Sequence, residues 1–548
     1  MVDRWYRNTV IYSLDVSTFQ DSDGDGVGDI AGLISRLDYL TRLGVGTVWL
    51  SPVYPSPRQD SGYDLTDHYG VDERFGSSGD LSELLNQAEE RGLRIMLDLV
   101  INHTSEQHPW FQAARSDPNS RFRDWYVWSE DEPADRWVGS VFPGVEKETW
   151  TYDEVAKAWY RHRFYRFQPD LNTDNPEVRA EIEKIVGYWL RLGVSGFRID
   201  AAPFLIESRQ ADEEETRFDF GLLRRMRETV TWRQSHAVLL AEANVADDEL
   251  LDYFGHGDGE ATRVLMVFAF RLNQSLMLAL ARKDATPIKA TLAELPDLPR
   301  NAQWATFLRN HDEVDLGRLS PDERQEVFDE FGPDPDMQLY GRGIRRRLAP
   351  MLGGDRDRLE MAYSLQLALP GTPVIRYGDE IGMGEDLSRP ERDAIRTPMQ
   401  WSDSPNAGFS DADPDRLICP VIADGEYGFP KVNVTDQRLD PQSLLTWFER
   451  ILHTRRECEE IGTGEHEVLD AGPSHVLVHT ATGHLGKALF LHNLADRPCE
   501  VSLDESLAEG RQPLSLVADD EYPDDKVDLT SIKLNGYGYR WIRLRRTP

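Results

Sequence analysis

Eight short apolar runs, each leading into a helix-like stretch, constrain this 548-residue chain more than any other feature. They are TVIYSLD (9–15), VGTVWLSP (45–52), RIMLDLVINH (94–103), GFRIDAAP (196–203), AVLLAEAN (237–244), VLMVFAF (264–270), WATFLRNHD (304–312) and PVIRYGDE (373–380). Between them lie amphipathic segments such as DLSELLNQAEERG (80–92), with apolar residues at helical spacing. NPEVRAEIEKIVGYWLRLG (175–193) opens on Asn175–Pro176, an N-cap and first-turn pair, and closes at Gly193. Strand and helix alternating eight times predict an α/β fold, a parallel (β/α)8 TIM barrel with right-handed crossovers. Active sites of such barrels lie at the carboxyl ends of the strands. Those ends carry Asp15, His103, Asp200, Glu242 and Asp312.

Two stretches interrupt the alternation. Residues 102–171 follow the third strand and are rich in Trp, Tyr, Pro and charge; so long a connection is usually functional, here a lid subdomain. A second insertion, 313–357, follows the seventh strand. Beyond residue 450 the runs SHVLVHTAT, KALFLHNLA, PCEVSLD and GYRWIRLRR are separated by turn signals. Residues 451–548 are therefore expected to form an antiparallel β-sandwich, leaving 1–101 and 172–450 to the barrel.

The net charge of −35 disfavours nucleic acid and anionic membrane surfaces as partners. No apolar run approaches the ~20 residues that span a bilayer. The amino terminus, MVDRWYRNTVIYSLD, lacks the apolar core of a secretory signal. Cys419, Cys458 and Cys499 are scattered without metal-type spacing, which suits a reducing cytoplasm. The acidity fits either a GC-rich genome or a salty cytoplasm, and assembly with copies of itself stays open.

Carboxylates converging on one mouth are the equipment of glycoside chemistry. Arg198 stands two residues before Asp200 in GFRID, on the same side of an extended strand, so its charge is expected to keep Asp200 ionised as a nucleophile. Glu242 lies in the apolar run VLLAEAN, where desolvation raises a carboxyl group as a general acid requires. Singly, each acid could be a buried salt bridge or a helix cap; with His103 and His311 beside them, a catalytic set is the better reading. A further acidic stretch, DSDGDGVGD (21–29), has calcium-loop spacing but is no EF-hand, because its twelfth position is Gly32.

These segments resemble the conserved regions of the α-amylase superfamily, glycoside hydrolase family 13. DLVINH (98–103), GFRIDAAPF (196–204), AEAN (241–244), FLRNHD (307–312) and QPDLN (168–172) carry the likeness in order along nearly the whole chain. The resemblance implies Asp200 as nucleophile, Glu242 as general acid/base and Asp312 as transition-state stabiliser. It implies His103 and His311 on glucose hydroxyls, Arg198 supporting the nucleophile, Tyr63 as a stacking platform and Asp64 at the far edge of the glucose. Arg392 is a further pocket candidate.

Within the superfamily the likeness is to trehalose synthases, through Asn244 of AEAN, GIRRRLAPML (343–352) and the lid stretch ending in QPDLN. That implies intramolecular conversion of maltose to trehalose and back, with some hydrolysis to glucose. The alternatives are a hydrolytic exo-acting α-glucosidase or oligo-1,6-glucosidase, an α-glucosyltransferase, and a non-catalytic binding subunit. The resemblance also implies a structural Ca2+ held by Asp21, Asp23, Asp25, the Val27 carbonyl and Asp29, with Mg2+ as the other ion that could serve there. A second site would comprise Asn102, Asp170, Glu207 and the carbonyls of Phe204 and Leu205. No organic cofactor is implied. The sequence departs from the family at Phe204, where a tyrosine is usual, at 383–392, and at Arg376, where an aromatic is usual. Loss of that tyrosine is expected to favour leakage to hydrolysis.

Overall fold

The computed structural model describes residues 4–207, 218–255, 257, 259–484, 486–508, 510–520, 522 and 527–545. Each of the eight apolar runs contains a strand: β1 (Ile11–Leu14), β2 (Thr47–Leu50), β3 (Arg94–Leu99), β4 (Gly196–Ile199), β5 (Val238–Ala241), β6 (Met266–Phe268), β7 (Gln303–Phe307) and β8 (Thr372–Arg376). They close into one barrel in sequence order, every neighbour parallel, with β8 returning to β1. Apart from Arg94 at the start of β3, the strand residues are buried, which is why these runs lack polar alternation.

Helix Pro176–Leu192 shows how local signals set the frame. The Asn175 side chain accepts the Glu177 backbone N–H, and Gly193 ends the helix at φ 111°, a conformation open to glycine. Val178, Ile182, Ile185, Val186 and Trp189 form the buried stripe that packs it on the barrel.

The first insertion contains helix Pro109–Ser116 and a three-stranded antiparallel sheet of 128–129, 158–161 and 150–153. Bridges His103↔Asp170 and Tyr126↔Leu171 tie its two ends together. The second insertion contains helix Pro321–Phe331 and a small sheet of 314–315, 343–344 and 338–339.

Helix Leu444–Glu457 runs through the boundary expected at 450/451 and packs on the barrel helices, and the C-terminal sheet starts only at Glu465. The sandwich is one five-stranded antiparallel sheet faced by the pair 499–501 and 532–534. Val476, Val478, Leu489, Leu491, Ile532 and Leu534 fill the space between the two sheets. The large sheet's other face, with Leu477, Phe490 and Trp541, joins the barrel's core.

Candidate active site

Polar side chains at the carboxyl ends of β3, β4, β5 and β7 meet around Arg198, which is 2% exposed. Asp98 on β3 is in register with Arg198 on β4, and its Oδ1 lies 2.7 Å from Nη1. The same Nη1 reaches Asp200 Oδ1 at 2.6 Å, while Nη2 reaches Glu242 Oε2 at 2.8 Å. One guanidinium thus serves three carboxylates. Ala201 adopts φ 50° to cap helix Ala202–Ile206, and its N–H donates to Glu242 Oε2 at 3.0 Å. This left-handed alanine is local strain of the kind found at functional turns.

Across the mouth, Asp312 Oδ1 accepts from Arg392 Nη1 at 2.9 Å and Arg396 Nη2 at 3.0 Å, and its Oδ2 lies 3.1 Å from His311 Nε2. Tyr63 stacks on His311 at 5.6 Å between ring centres; its hydroxyl donates to Asp98 Oδ2 and pairs with His311 Nε2 at 2.7 Å. His103 Nε2 lies 3.2 Å from the Tyr63 carbonyl. Asn244 donates to Asp315 at 3.2 Å and accepts from Arg318 at 2.8 Å.

These groups line a cavity of about 420 Å³, roofed by Val141, Phe142, Arg163 and Phe164 of the lid and by Asp315 and Arg342 of the second insertion. Its electrostatics separate the carboxyl groups. Burial pushes Glu242 up against the pull of Arg198. Burial would raise Asp312 too, but His311, Arg392 and Arg396 outweigh it and hold Asp312 well below the usual range. Burial drives the His311 imidazole well below its ordinary value, so it is neutral.

Asp200 departs from expectation. Burial pushes it up to about 7, and Asp98 and Asp312 add to the rise; Arg198 opposes but does not cancel it. The reason is stoichiometric, since Arg198 divides one charge among Asp98, Asp200 and Glu242.

Residues 13–327 and 345–464 match the α-amylase catalytic domain. The chain belongs to the α-amylase family. The break in that match falls within the second insertion, and residues 486–543 match the C-terminal domain of sucrose hydrolase-like proteins. The chain is 39% identical to "Trehalose synthase" of Pimelobacter sp., over 98% of this chain and 96% of that one. It is 40% identical to "Trehalose synthase/amylase TreS" of Mycobacterium tuberculosis, over 98% of this chain and 90% of that one. The crystal structure of an α-amylase from H. orenii superposes with a TM-score of 0.78 at 27% identity, covering 98% of this chain and 100% of that one.

Of the catalytic and substrate residues expected from this α-amylase-type sequence, Tyr63, His103, Arg198, Asp200, Glu242, Asn244, His311, Asp312 and Arg392 line the cavity. Asp64 does not. It is fully buried behind the cavity, accepting from Ser56 Oγ at 2.9 Å, the Gln59 N–H at 2.9 Å and the Asp60 N–H at 3.2 Å. Asp60 takes the cavity position instead, with Oδ1 2.9 Å from Arg392 Nη2 and Oδ2 accepting from Gln168 at 3.0 Å. Of the two neighbouring arginines, Arg392 faces the cavity, while Arg396 is buried beneath it against Asp312 and Ser61.

Sequence reasoning also passed over Asp98 and Glu313. Asp98 was visible as the lone acid in an apolar strand; burial pushes it up to about 6 against Arg198. Glu313 follows Asp312 and lines the cavity, pushed up to about 7 by burial against the pull of Arg392. Phe204, lacking the usual hydroxyl, packs edge-on to Phe164 at 5.7 Å and under the Arg163 guanidinium at 4.7 Å. Arg376 is 1% exposed and holds the carbonyl of Ile395 at 3.4 Å.

Carboxylate oxygens of Asp21, Asp23 and Asp29 lie within 4.8 Å of one another, a spacing that suits a hard divalent cation. Asp21 is held ionised: burial would raise it, but the Ser410 hydroxyl and the N–H groups of Gly26, Gly24 and Asp23 bring it below its ordinary value. Asp25 lies outside that trio and accepts the Val27 N–H at 2.8 Å. In the second set Asn102 donates to Asp170 at 3.3 Å, and the Glu207 carboxylate pairs with Arg163 and, at 3.7 Å, Arg161.

Proposed function

We propose that this chain is a trehalose synthase, converting maltose to trehalose and back by intramolecular transglucosylation with some hydrolysis to glucose. The observation that carries the reading is one roofed cavity in which Asp200 and Glu242 share Arg198 while Asp312 stands opposite, in a chain about 40% identical to trehalose synthases along nearly its full length.

In this reading Glu242, whose proton affinity burial raises, donates its proton to the oxygen joining the two glucose units. Asp200 Oδ attacks the anomeric carbon as that bond breaks, giving a covalent β-glucosyl ester and free glucose. The attack needs Asp200 as the carboxylate, the form that Arg198 favours at 2.6 Å, so its proton leaves to solvent before the sugar covers the pocket. Asp312, the best-stabilised anion of the set, grips ring hydroxyls through its paired arginines' frame. Asp60 and Arg392 close the end of the pocket around the non-reducing glucose. The released glucose turns beneath the lid and attacks through its anomeric hydroxyl, Glu242 now taking the proton. Two inversions at one carbon give net retention and the α,α-1,1 bond. Water must stay out of the cavity between the two steps.

The 21–29 loop would hold Ca2+ through Asp21, Asp23 and Asp29 and brace the first βα connection without entering the chemistry. The substrate is a disaccharide and the working compartment the cytoplasm; no described helix is long and apolar enough to cross a membrane. Purified protein incubated with maltose alone, followed by its anomeric proton signals, tests the reading. Trehalose should appear ahead of glucose; glucose with no trehalose at any time would make the chain an α-glucosidase.

A further inference from the structure

A second cavity, about 790 Å³, lies at the opposite end of the barrel from the catalytic one. It is a wedge between the amino end of β7 (Gln303, Trp304), the loop after helix Thr286–Glu294, and the first strand of the C-terminal sheet. Its volume falls within the range of small-molecule sites. Nothing in the proposed reaction uses it.

Two imidazoles line it. His479 is 1% exposed, stacked between Phe490 at 4.9 Å and His466 at 5.9 Å. Both its ring nitrogens are buried without a hydrogen-bond partner among the described residues. His466 Nε2 bonds the Ile461 carbonyl at 2.8 Å, which makes Nε2 the donor and leaves Nδ1 a buried acceptor with no partner. Burial brings His466 down to about 4 and holds His479 well below its ordinary value, so both rings are neutral. Neutral imidazoles call for a ligand that both donates and accepts, as hydroxyl groups do.

Arg4, Arg7 and Arg300 stand at the rim together with Asp297 and Glu465. Arg4 and Arg7 both donate to the Arg300 carbonyl, at 3.0 and 3.2 Å, which holds their guanidinium groups side by side. No carboxylate among the described residues pairs with Arg7, and its Nε is buried without a partner. Arg4 also pairs with Glu260 at 3.3 Å, so Arg7 is the guanidinium with donors to spare, and such a group matches the oxygens of a phosphate.

We propose that this cavity is a binding site for a hexose phosphate, with the phosphate on Arg4 and Arg7 and sugar hydroxyls on His466 and His479. Leucine and proline side chains of the 292–299 stretch supply the apolar wall for the carbon face of the ring.

Calorimetric titration of the full chain with glucose 6-phosphate, and separately with inorganic phosphate, tests this in the parent, Arg7→Gln and His479→Phe forms. The expected result is one site for glucose 6-phosphate, weakened ~10-fold or more by each substitution, as loss of a charged or buried polar contact does. Inorganic phosphate should bind more weakly, respond to Arg7→Gln and ignore His479→Phe. Absence of binding, or binding unchanged in Arg7→Gln, overturns the site; that includes capture in the catalytic cavity, which neither substitution touches. Phosphate binding as tightly as glucose 6-phosphate overturns the sugar half. Arg7→Gln, at the end of the short helix Trp5–Arg7, keeps the test decisive if His479→Phe misfolds. Maltose conversion measured in the same variants should stay at the parental rate, so failure here leaves the catalytic reading standing.

Discussion

Arg342 is the side chain whose removal should convert isomerisation into hydrolysis. It belongs to the second insertion, yet its Nη2 donates to the Val141 carbonyl of the lid at 3.0 Å, across the cavity roof. Its Nε also reaches Asp315 Oδ2 at 3.4 Å, and Asp315 in turn accepts from Asn244. A hydrogen bond from a charged donor contributes ~1.5–3 kcal/mol. The Arg342 side chain is 27% exposed, so solvent screening places the contact at the low end, ~1.5 kcal/mol. If open and closed lids exchange, losing that much closure free energy raises the open population ~10-fold. Water reaches the glucosyl ester only when the roof opens, whereas the trapped glucose attacks when it is closed. Arg342→Ala should therefore raise the initial glucose-to-trehalose ratio from maltose up to ~10-fold, with total maltose consumption changing far less. Arg342→Lys, which keeps a donor of shorter reach, should fall between. The assay is a time course of anomeric proton signals. A parental product ratio from a folded Arg342→Ala enzyme would refute the idea that this contact controls water entry.

Asp200→Asn should lower turnover by roughly 10⁴-fold or more, since a carboxamide cannot form the ester. The same variant should be more stable than the parent at pH 8: the native Asp200 carboxyl, up at about 7, holds its proton where the unfolded one has lost it, so parental stability falls as pH rises through that window. Melting curves across pH should show the gain vanishing towards pH ~4, where both states are protonated. Asp60→Asn should raise KM for maltose and lower kcat/KM, whereas Asp64→Asn should leave kinetics near parental and reduce unfolding free energy by ~1–3 kcal/mol; the reverse pattern would restore Asp64 to the cavity. Chelation should lower the melting temperature and added Ca2+ restore it, and Asp23→Asn should abolish that response; an unchanged melting curve on chelation would remove the ion from the 21–29 loop.

What the sequence discloses follows from which forces act along the chain and which act across it. The barrel is legible because each strand is buried on both faces and so must be a continuous apolar run, and a polar residue ending such a run has a cavity to face. Asp200, Glu242 and Asp312 are visible for that reason. The loop RQDSGYD obeys no such period. Arg58 (φ 57°), Ser61 (φ 49°) and Gly62 (φ 103°) turn it three times through left-handed conformations, and with those turns Asp60 faces the cavity while Asp64 faces back into the protein. Two acids four residues apart exchange roles on a backbone detail without a pattern signature. The ionisation of Asp200 is hidden more deeply. Arg198 two residues upstream predicts a counter-charge, and the contact exists at 2.6 Å. Whether that charge suffices depends on how many carboxylates share it, and Asp98 and Glu242 arrive from β3 and β5, far away in sequence. Local spacing can therefore identify a catalytic carboxylate, while its proton affinity belongs to the assembled barrel. Burial raises Asp200 and Glu242, which share Arg198, while Asp312, with Arg392 and Arg396 beside it, is held low: a few arginines divided unequally separate three carboxyl groups.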